Sequence, residues 1–408
     1  MLKYLGYIFP TADNQEVSYR KFYSIAALLV CGIEIIRILG FITFPISNLI
    51  NIVFLLPLLC GIIQQRFSIE KLYVVYIIYL ILNILITNPH PVFQSWMRLV
   101  FFLVILIPFS PIFENFNLRF FRLQCFKWFM CLVIPLSVLS FFCYFLNINY
   151  FVTEIENVNY IEYVGAFSGL FAHSMMLGPL AAISTIVLIW LGLKRNRIYF
   201  IFALMTFGTT LFGASRGATI SLLIGILILL IFYTRKKSKS IAAIIVVVGL
   251  LSISYPLWDG PVNRMLKKNE RSESSMVFDS RTAKYLARFS EIKSNPLFGV
   301  GFCAIKYNGI DVFNVEKGTV EPGSSWLAVL SMTGIIGLIF FLLILYNAIK
   351  SAYKSKTIYR GLYLSLLTFF LIHFLSEGYI FAGGNVLCFF FWLLLGCSED
   401  LRYIISKK

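Results

Sequence analysis

Three arginines sit where an arginine is costly. Arg216 lies in Gly213-Ala214-Ser215-Arg216-Gly217-Ala218, a short turn with apolar sequence on both sides. Arg98 lies inside one apolar run, and Arg37 near the end of another, one helical turn after Glu34. A charge at such a depth must be paired, must snorkel to the interface, or must face a polar cavity. Glu34 and Arg37 are spaced i, i+3, so mutual neutralisation on one helix is expected. Arg98 has no local partner and serves either helix packing or a ligand. Arg216 is flanked by glycine and small residues that let a ligand approach, which favours a binding role. A second basic row, Arg281, Lys284 and Arg288, recurs at i, i+3 and i+7 along a candidate helix over 281–294. Arginine is always charged and donates two parallel hydrogen bonds, so a cluster of fixed arginines suits a pyrophosphate. Arg216, Arg281 and Arg288 are expected to converge on one such group, with Arg98 as a further candidate. The loop helix would fold over the Arg216 turn, with Leu286 and Phe289 packing against helix ends.

The elements that must position these residues are membrane-spanning. Hydrophobic residues make up 59% of the 408-residue chain and charged residues 13%. Apolar runs of about 18–25 residues, the length that crosses a bilayer, occur near 22–44, 47–65, 70–88, 92–113, 125–147, 166–191, 198–214, 218–234, 240–258, 326–349, 359–377 and 379–397. The fold class expected is an all-α polytopic membrane protein of twelve helices. Basic residues gather at alternate boundaries: Arg20/Lys21, Arg66/Lys71, Arg119/Arg122/Lys127, Lys194/Arg195/Arg197, Arg235/Lys236/Lys237/Lys239, Lys350/Lys354/Lys356/Arg360 and Arg402/Lys407/Lys408. Arg216 stands alone among the short intervening connections. The positive-inside rule makes the first set cytoplasmic, with both termini inside and the first apolar run retained as a span.

The domain reading is 1–258 as a nine-span region, 259–325 as one large outer loop, and 326–408 as a three-span region. The outer loop carries ten basic and eight acidic residues, and long loops escape the inside bias. Its candidate helix is capped by Asp279 or Ser280 and ended by Asn295-Pro296, before Gly299 and Gly301 allow a sharp bend. The net charge of +16 sits beside apolar spans and has no basic-aromatic module, so nucleic acid is not an expected partner. Cys303 is the one Cys of eight in the outer loop, and no Cys/His spacing suits zinc. Neither a metal nor a cofactor is expected. His173 and His373 read as satisfied polar residues of a helix bundle.

Four stretches together resemble the O-antigen polymerase/ligase family of multi-spanning bacterial envelope enzymes: GLFAHSMMLGPLAA (169–182), LFGASRGATISLLIGILILL (211–230), DSRTAKYLARFSEIKSNPLFGVGF (279–302) and SSWLAVLSMTGIIGLIFFLLIL (324–345). The resemblance implies inverting, metal-independent glycosyl transfer at the outer face of the bacterial cytoplasmic membrane. The donor and acceptor would be polyprenyl-pyrophosphate-linked glycans, with a flippase and a chain-length regulator as possible partners. Arg216 and Arg281 match the family's pyrophosphate-holding arginines. Ligases of the family carry a histidine just before the helix that begins near Trp326, where this chain reads Glu321-Pro322-Gly323-Ser324-Ser325. That departure points to a polymerase of lipid-linked repeat units over a ligase that moves polymer to lipid A-core. It leaves Glu321 as first candidate for the acceptor base and Glu377 as second. A twelve-span secondary transporter or polysaccharide exporter is the reading from a different class.

Overall fold

The computed structural model describes residues 20–42, 48–150, 167–233, 280–307 and 318–403. Among them twelve α-helices occur: α1 (Arg20–Ile36), α2 (Leu55–Gln64), α3 (Lys71–Thr87), α4 (Ser95–Phe109), α5 (Phe116–Phe145), α6 (Ser174–Lys194), α7 (Tyr199–Phe212), α8 (Arg216–Tyr233), α9 (Ser280–Ser294), α10 (Ser325–Lys354), α11 (Arg360–His373) and α12 (Val386–Asp400). Eleven of them coincide with expected apolar runs, and α9 is the expected loop helix. The run at 240–258, the acidic stretch around Glu154–Glu162 and the flanks of the outer loop lie outside the described residues. The chain is an all-α membrane protein with almost no sheet. Five helical stretches, Pro91–Phe109, α5, α6, α8 and α10, are long and apolar enough to cross a membrane.

Several helices are shorter than their apolar runs because apolar backbone also builds close-packed loops. The run at 166–191 becomes helical only at Ser174, after His173 Nδ1 accepts from Met175 N at 3.1 Å. The run at 379–397 becomes helical only at Val386, where Asn385 Oδ1 caps Leu387 N at 2.8 Å. Its first residues form a loop in which a Cβ on Gly383 would lie 2.6 Å from the Phe101 carbonyl carbon.

The core sits around α12, all of whose residues are buried. Its Phe389, Phe390, Phe391 and Trp392 form an aromatic column; Phe390 stacks on Phe129 at 4.5 Å, and Phe389 meets Phe109 edge-on at 4.7 Å. Around it α1 pairs with α5, α6 with α7, and α8 with α11. Small residues allow the last approach: Ser365 Oγ donates to Gly225 O at 2.6 Å.

Two of the connections expected on one side of a membrane meet at one end of the bundle. At the end holding the 66–71 and 110–119 connections, β1 (Ser68–Ile69) pairs antiparallel with β2 (Phe113–Glu114). Beside that ribbon Arg122, fully buried, donates to both Asp400 oxygens at 2.8 and 2.7 Å and to Ser110 O at 3.2 Å. Glu114 takes Arg119 at 3.0 Å and Arg402 at 3.2 Å, while Glu399 takes Arg402 at 3.2 Å and the Tyr73 hydroxyl at 2.7 Å. Arg119, Arg122 and Arg402 are therefore members of a closed ion network, a role the cation pattern did not disclose. At the opposite end Leu39 bridges Phe171, and His90 stacks on Tyr307 at 4.0 Å. The Glu34–Arg37 pair forms as expected, at 3.0 Å with Glu34 buried.

Candidate functional site

The Ser-Arg-Gly turn is dictated by packing on both sides. Ala214 adopts φ 48°, and Ser215 Oγ accepts from Ala218 N at 3.4 Å, so Arg216 opens α8. The residue is exposed at the positive end of an 18-residue helix, a setting that attracts anions. A Cβ on Gly217 would collide with Ser376 Oγ and lie 3.6 Å from His373 Cδ2. Glycine there lets the start of α8 touch the end of α11. His373 itself is buried, with Nδ1 and the Tyr379 hydroxyl 2.8 Å apart.

The end of α11 in turn holds the start of α10. Ser324 Oγ donates to Phe374 O at 2.8 Å, and Ser325 Oγ to Glu377 O at 2.7 Å. Gly378 permits this contact, because a Cβ there would collide with Pro322. The loop helix α9 closes the group: the Tyr285 hydroxyl donates to Leu375 O at 2.9 Å, and Lys284 Nζ pairs with Glu321 at 2.6 Å. Arg216, Lys284, Glu321 and Glu377, far apart in sequence, thus share one connected layer. Glu321 is half exposed beside its lysine, and Glu377 is partly buried.

Two expectations about α9 need correction. Leu286 and Phe289 do not pack against helix ends; they are 49% and 56% exposed. The inward stripe is instead Lys284, Ala287, Arg288 and Glu291. Arg288 does not join an exposed arginine cluster. It is fully buried and paired with Glu291 at 2.9 Å, whose Oε1 also accepts from Lys306 N at 2.9 Å. The charged face turns inward because every buried charge finds a partner there. Arg281 lies in the first turn of α9.

The Asn-Pro-Leu-Phe-Gly-Val-Gly segment after α9 is held by a break in α10. At Gly334 (φ 64°, ψ −171°) the helix unwinds, and its freed groups bond the loop: Val300 N to Ser331 O at 2.8 Å, Gly301 N to Met332 O at 3.1 Å, and Ile335 N to Pro296 O at 2.9 Å. Broken helix is tolerated at membrane depth when its backbone is satisfied in this way. Asn83 of α3 clamps the loop from the other side, donating to Phe298 O at 2.6 Å and accepting from Phe302 N at 2.8 Å. The Tyr79 hydroxyl reaches Thr333 O. Asn83 is a support of the loop missed from sequence, although an asparagine inside an apolar helix was its signal.

Arg98 of α4 borders the Pro322–Gly378 contact of the Arg216 layer. Its Nη2 donates to Gly318 O at 2.7 Å, and among the described residues it is the one charged side chain lining a cavity of about 270 Å³ beside Pro322, Gly378 and Met332. Cys303 lines the same cavity, where burial pushes its thiol up to about 12 despite nearby Arg98, so it is no thiolate nucleophile.

A family model described as O-antigen ligase matches residues 201–342. The match runs from α7 through the Arg216 turn and the loop helix into the broken α10. No curated protein matches the chain. Residues 201–342, which hold the Ser-Arg-Gly turn, the loop helix and its Gly-rich clamp, are thus similar to the O-antigen polymerase/ligase family of membrane glycosyltransferase-like enzymes.

Proposed function

We propose that the protein polymerises polyprenyl-pyrophosphate-linked oligosaccharide repeat units at the outer face of the bacterial cytoplasmic membrane. The observation that carries this reading is the meeting of the Arg216 turn, the end of α11, the Glu321 segment and the loop helix in one layer. Twelve spans, with both termini cytoplasmic, put that layer on the outer side. The outward Leu286 and Phe289 then rest on the membrane surface, since Leu297 beside Pro296 is also exposed and continues toward the exposed Ile335 and Ile339 of α10.

In the reaction, an acceptor sugar hydroxyl attacks the anomeric carbon of the donor glycan. The bond from that carbon to the pyrophosphate oxygen breaks with inversion, and the hydroxyl proton passes to a carboxylate. Arg216 and Arg281 stabilise the charge growing on the leaving pyrophosphate, the role a divalent cation plays elsewhere. Glu321 is the first candidate for the base, positioned by Lys284, and Glu377 the second. Arg98, lining the cavity beside Pro322 and Gly378, is a further candidate for holding the pyrophosphate. Arg288 acts through Glu291 to hold α9.

The absence of histidine from 321–325 favours polymerase over ligase. A deletion strain tests this: loss of a polymerase leaves single repeat units on the surface acceptor, whereas loss of a ligase leaves none. A bare acceptor would overturn the polymerase reading. A flippase and a chain-length regulator would act before and beside the enzyme.

A further inference from the structure

A second basic cavity lies a full helix length from the site described above. Arg216 and His373 mark the near ends of α8 and α11; Tyr233 and Arg360 mark their far ends. There, a cavity of about 310 Å³ is lined by Lys194, Lys356 and Arg360 together with Ser355, Thr357 and Gly361. Among the described residues no acidic one lines it. Among the described residues none of the three cations has a carboxylate partner, and the buried Nε of Arg360 has no hydrogen-bond acceptor.

The cations are held in place by rings rather than by counter-charges. Arg360 lies over Tyr353 at 4.3 Å and Phe232 at 4.9 Å, and Lys194 lies over the Tyr233 ring at 4.5 Å. The first turn of α11 begins at Arg360 and adds the positive end of its dipole. Two ring-held cations, the exposed Lys356 and a helix start, facing a cavity with no acid among the described residues, form a receptor for a phosphate group.

The walls indicate where that phosphate comes from. Leu229 and Phe232 line the cavity, and Leu227, Ile231 and Ile358 beside it are 41%, 53% and 49% exposed. Of the five helical stretches able to span a membrane, α8 is the least buried, at 39%. An apolar strip leading into a cationic cavity fits a molecule with a hydrocarbon tail and an anionic head. We propose that this cavity binds the phosphate headgroup of an anionic phospholipid, with its acyl chains laid along the outward face of α8.

Native mass spectrometry of the full-length protein in detergent tests the proposal, with phosphatidylglycerol or phosphatidylcholine added at equal concentration. Phosphatidylglycerol should be retained selectively. Each of Lys194→Gln, Lys356→Gln and Arg360→Gln should weaken that retention about fivefold. Lys356 is exposed, so its variant carries little folding risk, and unchanged melting in phosphatidylcholine confirms intact protein in every case. Retention that survives excess inorganic phosphate supports a lipid source; displacement by phosphate supports the same anion site with a soluble source. Equal retention of the two lipids, or unaltered selectivity in the triple variant, would overturn the assignment.

Discussion

The two ends of the helix bundle treat charge in opposite ways. At the end of the 66–71 and 110–119 connections, Arg119, Arg122 and Arg402 meet Glu114, Glu399 and Asp400 in a closed and charge-balanced network. At the end of the Arg216 turn, Arg216 is exposed at a helix start, and Glu321 is half exposed in its pair with Lys284. A closed network locks helices together. An exposed layer keeps its charged groups within reach of solvent. The difference teaches that arginine at a helix end is not itself a functional signal; burial separates the two cases.

Breaking the closed end should cost the most stability. Asp400→Ala strands the fully buried Arg122, which should destabilise the protein by about 3–5 kcal/mol and lower its melting temperature in detergent. Replacing both partners with apolar residues should cost less than either single change. A double variant as unstable as the sum of the singles would contradict the pairing.

The break in α10 should be next in effect. Gly334 holds a φ/ψ open almost only to glycine, and a Cβ there would collide with Leu297 O. Gly334→Ala should therefore cost on the order of 1–3 kcal/mol and expose the 296–302 loop to limited proteolysis. An unchanged cleavage pattern would mean the loop is held without the break.

Acid should loosen the closed end. Burial pushes the Glu114 carboxyl up, but Arg122, Arg119 and Arg402 together outweigh it and hold its pKa below the ordinary 4.5. A depressed carboxylate contributes stability that is fully present above the ordinary value and is lost as pH falls through the lowered one. Melting temperature should drop over that window, and Glu114→Gln should flatten the drop. A Glu114→Gln variant with the parental acid profile would assign the loss elsewhere.

The smallest change in stability belongs to the open layer. Glu321 is half exposed, so breaking its pair with Lys284 should cost about 0–1 kcal/mol. Activity should respond differently: Glu321→Gln should slow chain extension by about 10²–10⁴-fold if Glu321 is the base. Full activity in that variant would pass the role to Glu377.

Much of this was legible in sequence because it rests on local rules. Apolar run length placed eleven of the helices, and cap residues with Asn295-Pro296 placed α9 within a residue or two. The Glu34–Arg37 pair followed from spacing alone. What stayed hidden depends on partners distant in sequence. Leu286 and Phe289 turn outward because Lys284 finds Glu321 and Glu291 finds the Lys306 amide on the other face, a choice that amphipathic patterning does not encode. Asp400 and Arg122 lie 278 residues apart, so Arg122 read as a topology cation. Gly217 and Gly334 showed that glycine was present, but not that Ser376 and Leu297 needed the room.

The most direct test is chain extension by purified protein in lipid, supplied with lipid-linked oligosaccharide, comparing the parent with Arg216→Ala, Arg216→Lys and Arg281→Ala. Loss of two charge-assisted hydrogen bonds is worth on the order of 3 kcal/mol, so both alanine variants should extend chains more than about a hundredfold more slowly. Lysine should restore only part of the rate, because a point charge lacks the two-pronged donor. Near-parental ladders from both alanine variants at equal protein abundance would show that the pyrophosphate is held elsewhere.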